Sequence, residues 1–263
     1  MGELDILLTN DDGIDATGLG VLADALDEIG SVTVVAPEDD QSAVGRAISG
    51  SVSVREHDLG YAIDGTPADC VVAGLTSLVP RTDLVIAGCN TGANLGAAVL
   101  GRSGTVSAAV ESTFFDVPAI AVSMYIPSER YEAGGKSEVP AGQYAEAVRA
   151  TTHLVEHIEG EQFFGDADYL NINAPITDES SGEMVITRPS HVYRVEAIRE
   201  GKTIELRDGI WELMANGDIP DPEGTDRRAV FEGQTSVSPL TAPHSTERHE
   251  KLTALAEQYS SGP

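Results

Sequence analysis

The sequence predicts an α/β protein, with a mostly parallel sheet covered by helices on both faces. Two observations carry that expectation. Short runs at residues 4–9, 32–36, 84–87 and 119–122 are dominated by apolar side chains instead of alternating, as strands buried on both faces are. Between them lie segments whose apolar residues recur every three or four positions, so helices connect the strands. At 263 residues the chain fits one large α/β domain or two small ones.

Each element has its own signal. The first strand, residues 4–9, ends in Asn10-Asp11-Asp12-Gly13, a turn sequence. Leu19, Leu22, Leu26 and Ile29 then mark an amphipathic helix. The strand at 32–36 stops at Pro37, and a polar loop leads to a hairpin suggested by Val52, Val54 and residues 61–63. A helix over 67–78 starts with Pro67 after Thr66 as its cap. The strand 84–87, a helix over 106–114 and the strand 119–122 follow. Tyr144, Ala147, Thr151, Leu154 and Ile158 outline another helix, and 169–172 another strand. From about residue 176 the pattern changes to short strand-like pieces with Gly, Pro and acidic loops, closing with a helix near 247–259. That division makes 1–175 the core and 176–263 an appended β-rich arm.

Charge excludes whole classes of function. With 43 acidic and 16 basic side chains the net charge is −27, so a basic surface for duplex nucleic acid is not expected. Only Lys136, Lys202 and Lys251 are lysines. An acidic, lysine-poor surface suits a very salty cytoplasm, where the Debye length shrinks to about 3 Å at 1 M salt. Two cysteines, Cys70 and Cys89, make no disulfide framework and fit a reducing cytosol. No apolar run approaches the roughly 20 residues of a membrane span, and the start lacks a basic leader. The expected location is the cytoplasm.

In open parallel sheets ligands bind beyond the carboxyl ends of the strands. Three loops there carry oxygen donors: Asn10-Asp11-Asp12, Glu38-Asp39-Asp40-Gln41-Ser42, and Gly88-Cys89-Asn90-Thr91-Gly92-Ala93-Asn94. An all-oxygen set suits a hard divalent cation, Mg²⁺ or Mn²⁺, more than zinc. A cation also explains two adjacent carboxylates, although Asn-Asp-Asp-Gly is good turn chemistry by itself. Arg102-Ser103-Gly104-Thr105-Val106 opens a helix whose N–H groups and dipole form an anion site, or simply an N-cap. A phosphate monoester is the ligand that unites the two features.

Competing motifs are weaker. Gly18-Leu19-Gly20-Val21-Leu22-Ala23 fits a dinucleotide fingerprint, but eight residues separate it from the first strand and Gly20 falls inside the helix stripe. His153 and His157 stand four apart on a helix without a third zinc ligand, so a solvated helix face is the simpler reading. The chain has no G-x-S-x-G elbow.

Together the motifs resemble the SurE family of metal-dependent 5′-nucleotidases. They are Thr9-Asn10-Asp11-Asp12-Gly13, Val35-Ala36-Pro37 with Gln41-Ser42, Gly65-Thr66-Pro67-Ala68-Asp69, Asp83 through Gly96, Ser103-Gly104-Thr105-Val106, Pro118 through Ser123 and Leu170 through Pro175. Ser236-Val237-Ser238-Pro239-Leu240 resembles the later family pattern, whereas residues 176–232 match poorly and Arg102 stands where the family usually has Tyr or His. The resemblance implies a Rossmann-like three-layer sandwich with an extended β-rich C-terminal arm exchanged between subunits of a homodimer or homotetramer. It implies one divalent cation on Asp11, Asp12, Ser42 and Asn90, and substrate phosphate on Asn94, Ser103, Gly104 and Thr105. The acidic composition suits a member from a salt-loving archaeon. The expected reaction is hydrolysis of nucleoside 5′-monophosphates, with Asp11 and Asp12 as catalytic carboxylates. Whether one of them activates water or forms an aspartyl-phosphate is open at this level. The rivals are a nucleotide-binding regulator without turnover and a nicotinamide-dependent dehydrogenase.

Overall fold

The computed structural model describes residues 4–127, 139–158, 163–242, 244, 250–253 and 255. A nine-stranded sheet runs through it. In chain order its strands are β1 (Leu4–Thr9), β2 (Gly30–Pro37), β3 (Ser53–His57), β4 (Gly60–Asp64), β5 (Leu84–Thr91), β6 (Ala119–Tyr125), β7 (Tyr169–Pro175), β8 (Met184–Ile186) and β11 (Thr235–Leu240). A separate hairpin is formed by β9 (Val195–Glu200) and β10 (Thr203–Asp208). In the large sheet the order is β3-β4-β2-β1-β5-β6-β7-β11-β8. The strands from β4 to β7 pair in parallel; β3 and β11 run antiparallel to β4 and β7.

Helices cover both faces, as the apolar strands require. α1 (Thr17–Leu26) and α5 (Ala145–Glu156) bury Leu19, Leu22, Ala147 and Ala150 with Leu8, Ile86 and Ile172 on one side. α2 (Pro67–Ala73) and α4 (Gly104–Thr113) bury Val71 and Val106 with Leu7, Val35 and Val85 on the other. Leu7 and Leu8 are neighbours in β1 yet belong to opposite layers, the two-residue period of a strand. The short α3 (Ala97–Leu100) precedes α4, while α6 (Gly209–Ala215) and α7 (Asp226–Phe231) follow the hairpin.

Thr66 caps α2 as expected, in a reciprocal box with Asp69. The helix foreseen over 67–78 is helical to Ala73 and continues as a π-helical turn to Leu78. The first helix ends at Leu26, and Ile29 packs against the core from the following turn. Beyond residue 176 the strands divide. β8 and β11 extend the central sheet, and among the described residues only β9–β10 stands off it. Of the closing helix expected at 247–259, residues 250–253 and 255 are helical, and the rest lies outside the described residues.

Candidate functional site

The three strand-end loops and the start of α4 meet at the carboxyl edge of β1, β2 and β5. Asp11 is 3% exposed, and its Oδ1 accepts the Thr105 hydroxyl at 2.6 Å. Gly104 permits that approach. A Cβ there would stand 2.7 Å from Asp11 Cβ and 2.8 Å from Oδ2. Asp12 Oδ2 accepts the Thr91 backbone N–H at 2.8 Å, which fastens the first loop to the end of β5. The first and second loops are also knit together: Asp11 O accepts Gln41 N at 2.7 Å and Pro37 O accepts Ile14 N at 2.8 Å.

Ser42 lies on the exposed part of the second loop, with its N–H and hydroxyl both donating to Asp40 Oδ1 at 2.8 and 2.6 Å. Asn90 donates through Nδ2 to Gly92 O at 2.5 Å. Because a side-chain amide is planar, this bond turns Asn90 Oδ1 the opposite way. Asn10 holds the turn by donating to Gly13 O at 2.8 Å.

Asn94 closes the third loop and is buried. Its N–H donates to Asn173 Oδ1 at 2.8 Å, its Nδ2 to Ser123 Oγ at 2.8 Å, and its carbonyl accepts from the amides of Asn171 and Asn173. Ser103 is the N-cap of α4, its Oγ accepting Val106 N–H at 3.1 Å. The first N–H groups of α4 have no intrahelical acceptor, which is what an anion at a helix start uses. The structure therefore brings Asp11, Gly104 and Thr105 into direct contact, ties Asp12 to the strand end that carries Asn90, and gives Asn94 an anchoring position. The single hydroxyl proton of Thr105 is engaged by Asp11.

Sequence reasoning missed the supports. Tyr144, buried, shares a 2.8 Å hydrogen bond with Thr91 Oγ1, so the residue that holds Asp12 is itself held. Burial, with Cys89 and Asp12 nearby, pushes the Tyr144 phenol up to about 12, although the bond to Thr91 opposes the shift. It stays neutral at any physiological pH. Burial first, and then Asp12, pushes the Cys89 thiol upward; burial first, and then Asp69, does the same to Cys70. Neither is a nucleophile. Asp226, fully buried, accepts Gly96 N–H at 2.7 Å and Ser190 N–H at 2.9 Å, pinning the third loop to the C-terminal part of the chain. No period or motif distinguishes Tyr144 or Asp226 from packing residues.

The rival motifs have structural explanations. A Cβ on Gly18 would lie 2.1 Å from Cys89 O and 2.8 Å from the Tyr144 ring, so this glycine lets α1 approach the third loop. His157 Nδ1 is 2.7 Å from His153 O on an exposed helix face. Among the described residues no group of three or more His, Cys, Asp or Glu side chains is placed to hold a metal ion.

Fold and site define an open-sheet α/β protein whose carboxyl-edge loops gather oxygen donors beside a helix start. Residues 6–196 match the family model described as "Survival protein SurE", and the chain belongs to the SurE family. It is 62% identical over 259 residues to "5′-nucleotidase SurE" of Haloarcula marismortui, covering 98% of this chain and 96% of that protein. The protein of the same name from Halobacterium salinarum is 60% identical, with 98% of both chains covered. That of Pelobacter propionicus is 37% identical over 89% of this chain and 92% of its own. Among solved structures, the SurE protein from Aquifex aeolicus superposes with a TM-score of 0.73 at 29% identity, covering 97% and 99% of the two chains.

Proposed function

We propose that this protein is a 5′-nucleotidase: it hydrolyses nucleoside 5′-monophosphates to nucleoside and orthophosphate with the help of one divalent cation. The observation that carries the reading is the Asp11–Thr105 contact, which sets a buried carboxylate against the N-terminus of α4. The chemistry of the donors fits a hard cation. Asp11 Oδ1 accepts from Thr105, Asp12 Oδ2 accepts from Thr91 N–H, Asn90 Nδ2 donates to Gly92 O, and Ser42 donates its proton to Asp40. The residues that would hold the cation in this reading are Asp11, Asp12, Ser42 and Asn90. Mg²⁺ or Mn²⁺ suits two carboxylates, a hydroxyl and an amide oxygen. Such a cation supplies charge neutralisation on the phosphoryl oxygens.

The chain's own residues do the rest. The N–H groups of Gly104 and Thr105 and the hydroxyl of Ser103 bind phosphate oxygens. A carboxylate of the Asp11–Asp12 pair orients the attacking water and accepts its proton. Thr105, Thr91 and Tyr144 hold that pair in place. Asn94 fixes the loop between Asn90 and the C-terminal segment. The same reading has the protein work in a salt-rich, reducing cytoplasm; its two cysteines are free and buried, and no helix among the described residues is long and apolar enough to cross a membrane. It also has the β9–β10 hairpin join subunits in a homodimer or homotetramer, a role supported by exposed Ile204 and Leu206.

A phosphate-release assay in molar KCl, over nucleoside monophosphates, sugar phosphates and polyphosphate, with Mn²⁺, Mg²⁺ or chelator, tests this function. Metal-dependent release from nucleoside monophosphates is the expected result. Binding without release favours a regulator, and nicotinamide binding without a metal requirement favours a dehydrogenase.

A further inference from the structure

Arg102 is one of the arginines of this acidic chain that have no carboxylate partner among the described residues. Arg46, Arg55, Arg149, Arg207, Arg227 and Arg228 each lie within ion-pair distance of a carboxylate. Arg102 lies against an aromatic ring instead. Its guanidinium carbon is 5.7 Å from the centre of the Tyr193 ring, and its Nη2 donates to Tyr193 Oη at 3.0 Å. Among the described residues no carboxylate pairs with it, although the chain carries 43 of them.

Its place is the edge of the proposed phosphate site. Arg102 immediately precedes Ser103, the cap of α4. The loop that carries Ser42 reaches the same turn, since a Cβ on Gly45 would lie 3.4 Å from Gly101 O. Tyr193 comes from a segment fixed to the third site loop, where Ser190 O accepts Ala97 N–H at 2.8 Å and Asp226 bridges Ser190 N to Gly96 N. Both members of the pair are thus held by the loops that build the site. A guanidinium has five N–H donors, so the bond to Tyr193 leaves four. Stacking on the ring pre-organises the side chain and reduces the entropy lost on ligand binding.

We propose that Arg102, held by Tyr193, is the rim cation that contacts the phosphate of the substrate and sets substrate affinity instead of turnover. The inference rests on the phosphate position at Ser103–Thr105. A dianion approaching a surface of net charge −27 needs a local positive contact. A side-chain donor that binds ground state and transition state alike lowers KM without raising kcat.

The test is steady-state kinetics of the full chain in molar KCl with Mn²⁺, with inorganic phosphate as competitive inhibitor. Arg102→Ala should raise KM and the phosphate Ki together by about tenfold, the scale of one charge-assisted hydrogen bond at a partly exposed site. Its kcat should stay within about threefold of wild type, and Arg102→Lys should recover part of the affinity, as expected of a uniform-binding contact. Tyr193→Ala should show a smaller rise in both constants, and thermal melts report that each variant is folded. Unchanged KM and Ki in Arg102→Ala, or a loss confined to kcat, would overturn the inference. Calorimetric titration with inorganic phosphate needs no turnover, so it reads Arg102 separately even where phosphate release from nucleotides fails and the nucleotidase reading falls.

Discussion

Gly104→Ala is a one-methyl change whose effect the structure specifies. Gly104 occupies the first position of α4 in helical backbone, where alanine gains conformational entropy of about 0.5–1 kcal/mol over glycine. The new Cβ would lie 2.7 Å from Asp11 Cβ, against 3.4 Å for ordinary contact, so something must shift by about 0.7 Å. Asp11 is the atom group in the way. It is buried, and it is tethered on both sides by Thr105 Oγ1 and Gln41 N. A misplacement approaching 1 Å costs up to about a hundredfold in rate. Phosphate release should therefore fall ten- to a hundredfold in kcat/KM, while the circular-dichroism melt moves little because the helix gain offsets the local crowding. Wild-type kcat/KM in a folded Gly104→Ala protein would refute both the placement of Asp11 and its catalytic role.

Three further outcomes follow from named contacts. Thr105→Val removes the 2.6 Å hydrogen bond to Asp11, worth about 1.5–3 kcal/mol for a charged acceptor, so Mn²⁺ affinity and kcat/KM should both drop by at least about tenfold; a change in phosphate inhibition alone would contradict the contact. Burial raises the Asp69 carboxyl, but hydrogen bonds from Ser49 and Thr66 outweigh it and hold the group below its ordinary 3.8. Its stabilisation is complete above that value and is lost as pH falls through the depressed range; Asp69→Asn should lower the neutral-pH melting temperature by several degrees, about 1–2 kcal/mol, and flatten acid unfolding, and an unchanged melt would exclude the capping role. With net charge −27, repulsion is almost unscreened in dilute buffer and short-ranged at about 3 Å in molar salt, so stability and activity should rise together toward molar KCl in melts and activity titrations; maxima in dilute buffer would contradict it.

The parallel half of the sheet was legible in the sequence because strands buried on both faces have no polar register to hide. The loops after β1, β2 and β5 were legible for a related reason. Asp11 and Asp12 come just after β1, Ser42 lies in the loop after β2, and Asn90 is the penultimate residue of β5, all at the strand ends where an open sheet binds ligands. The second half was harder. β7 and β11 carry Asn171, Asn173, Ser236 and Ser238 into the interior, where hydrogen bonds to Asn94 and Thr187 replace apolar contact. Such strands lose the apolar signature without becoming exposed. The pieces after 176 read as one arm, yet the sheet takes β8 and β11 by long-range pairing and leaves β9–β10 outside. The supports of the site are equally silent in sequence, since Tyr144, in the turn that leads into α5, meets Thr91 only through the tertiary packing.

The central claim is that Asp11, Asp12, Ser42 and Asn90 hold the divalent cation. The most direct measurement is a Mn²⁺ titration followed by electron paramagnetic resonance, in molar KCl and without substrate, of the wild type and of Asp12→Asn. Removing one anionic ligand takes away charge that no other side chain of the set replaces. One tight site per chain is expected in the wild type, weakened by at least about two orders of magnitude in a folded Asp12→Asn protein. Equal Mn²⁺ affinity and stoichiometry in the two proteins would contradict it.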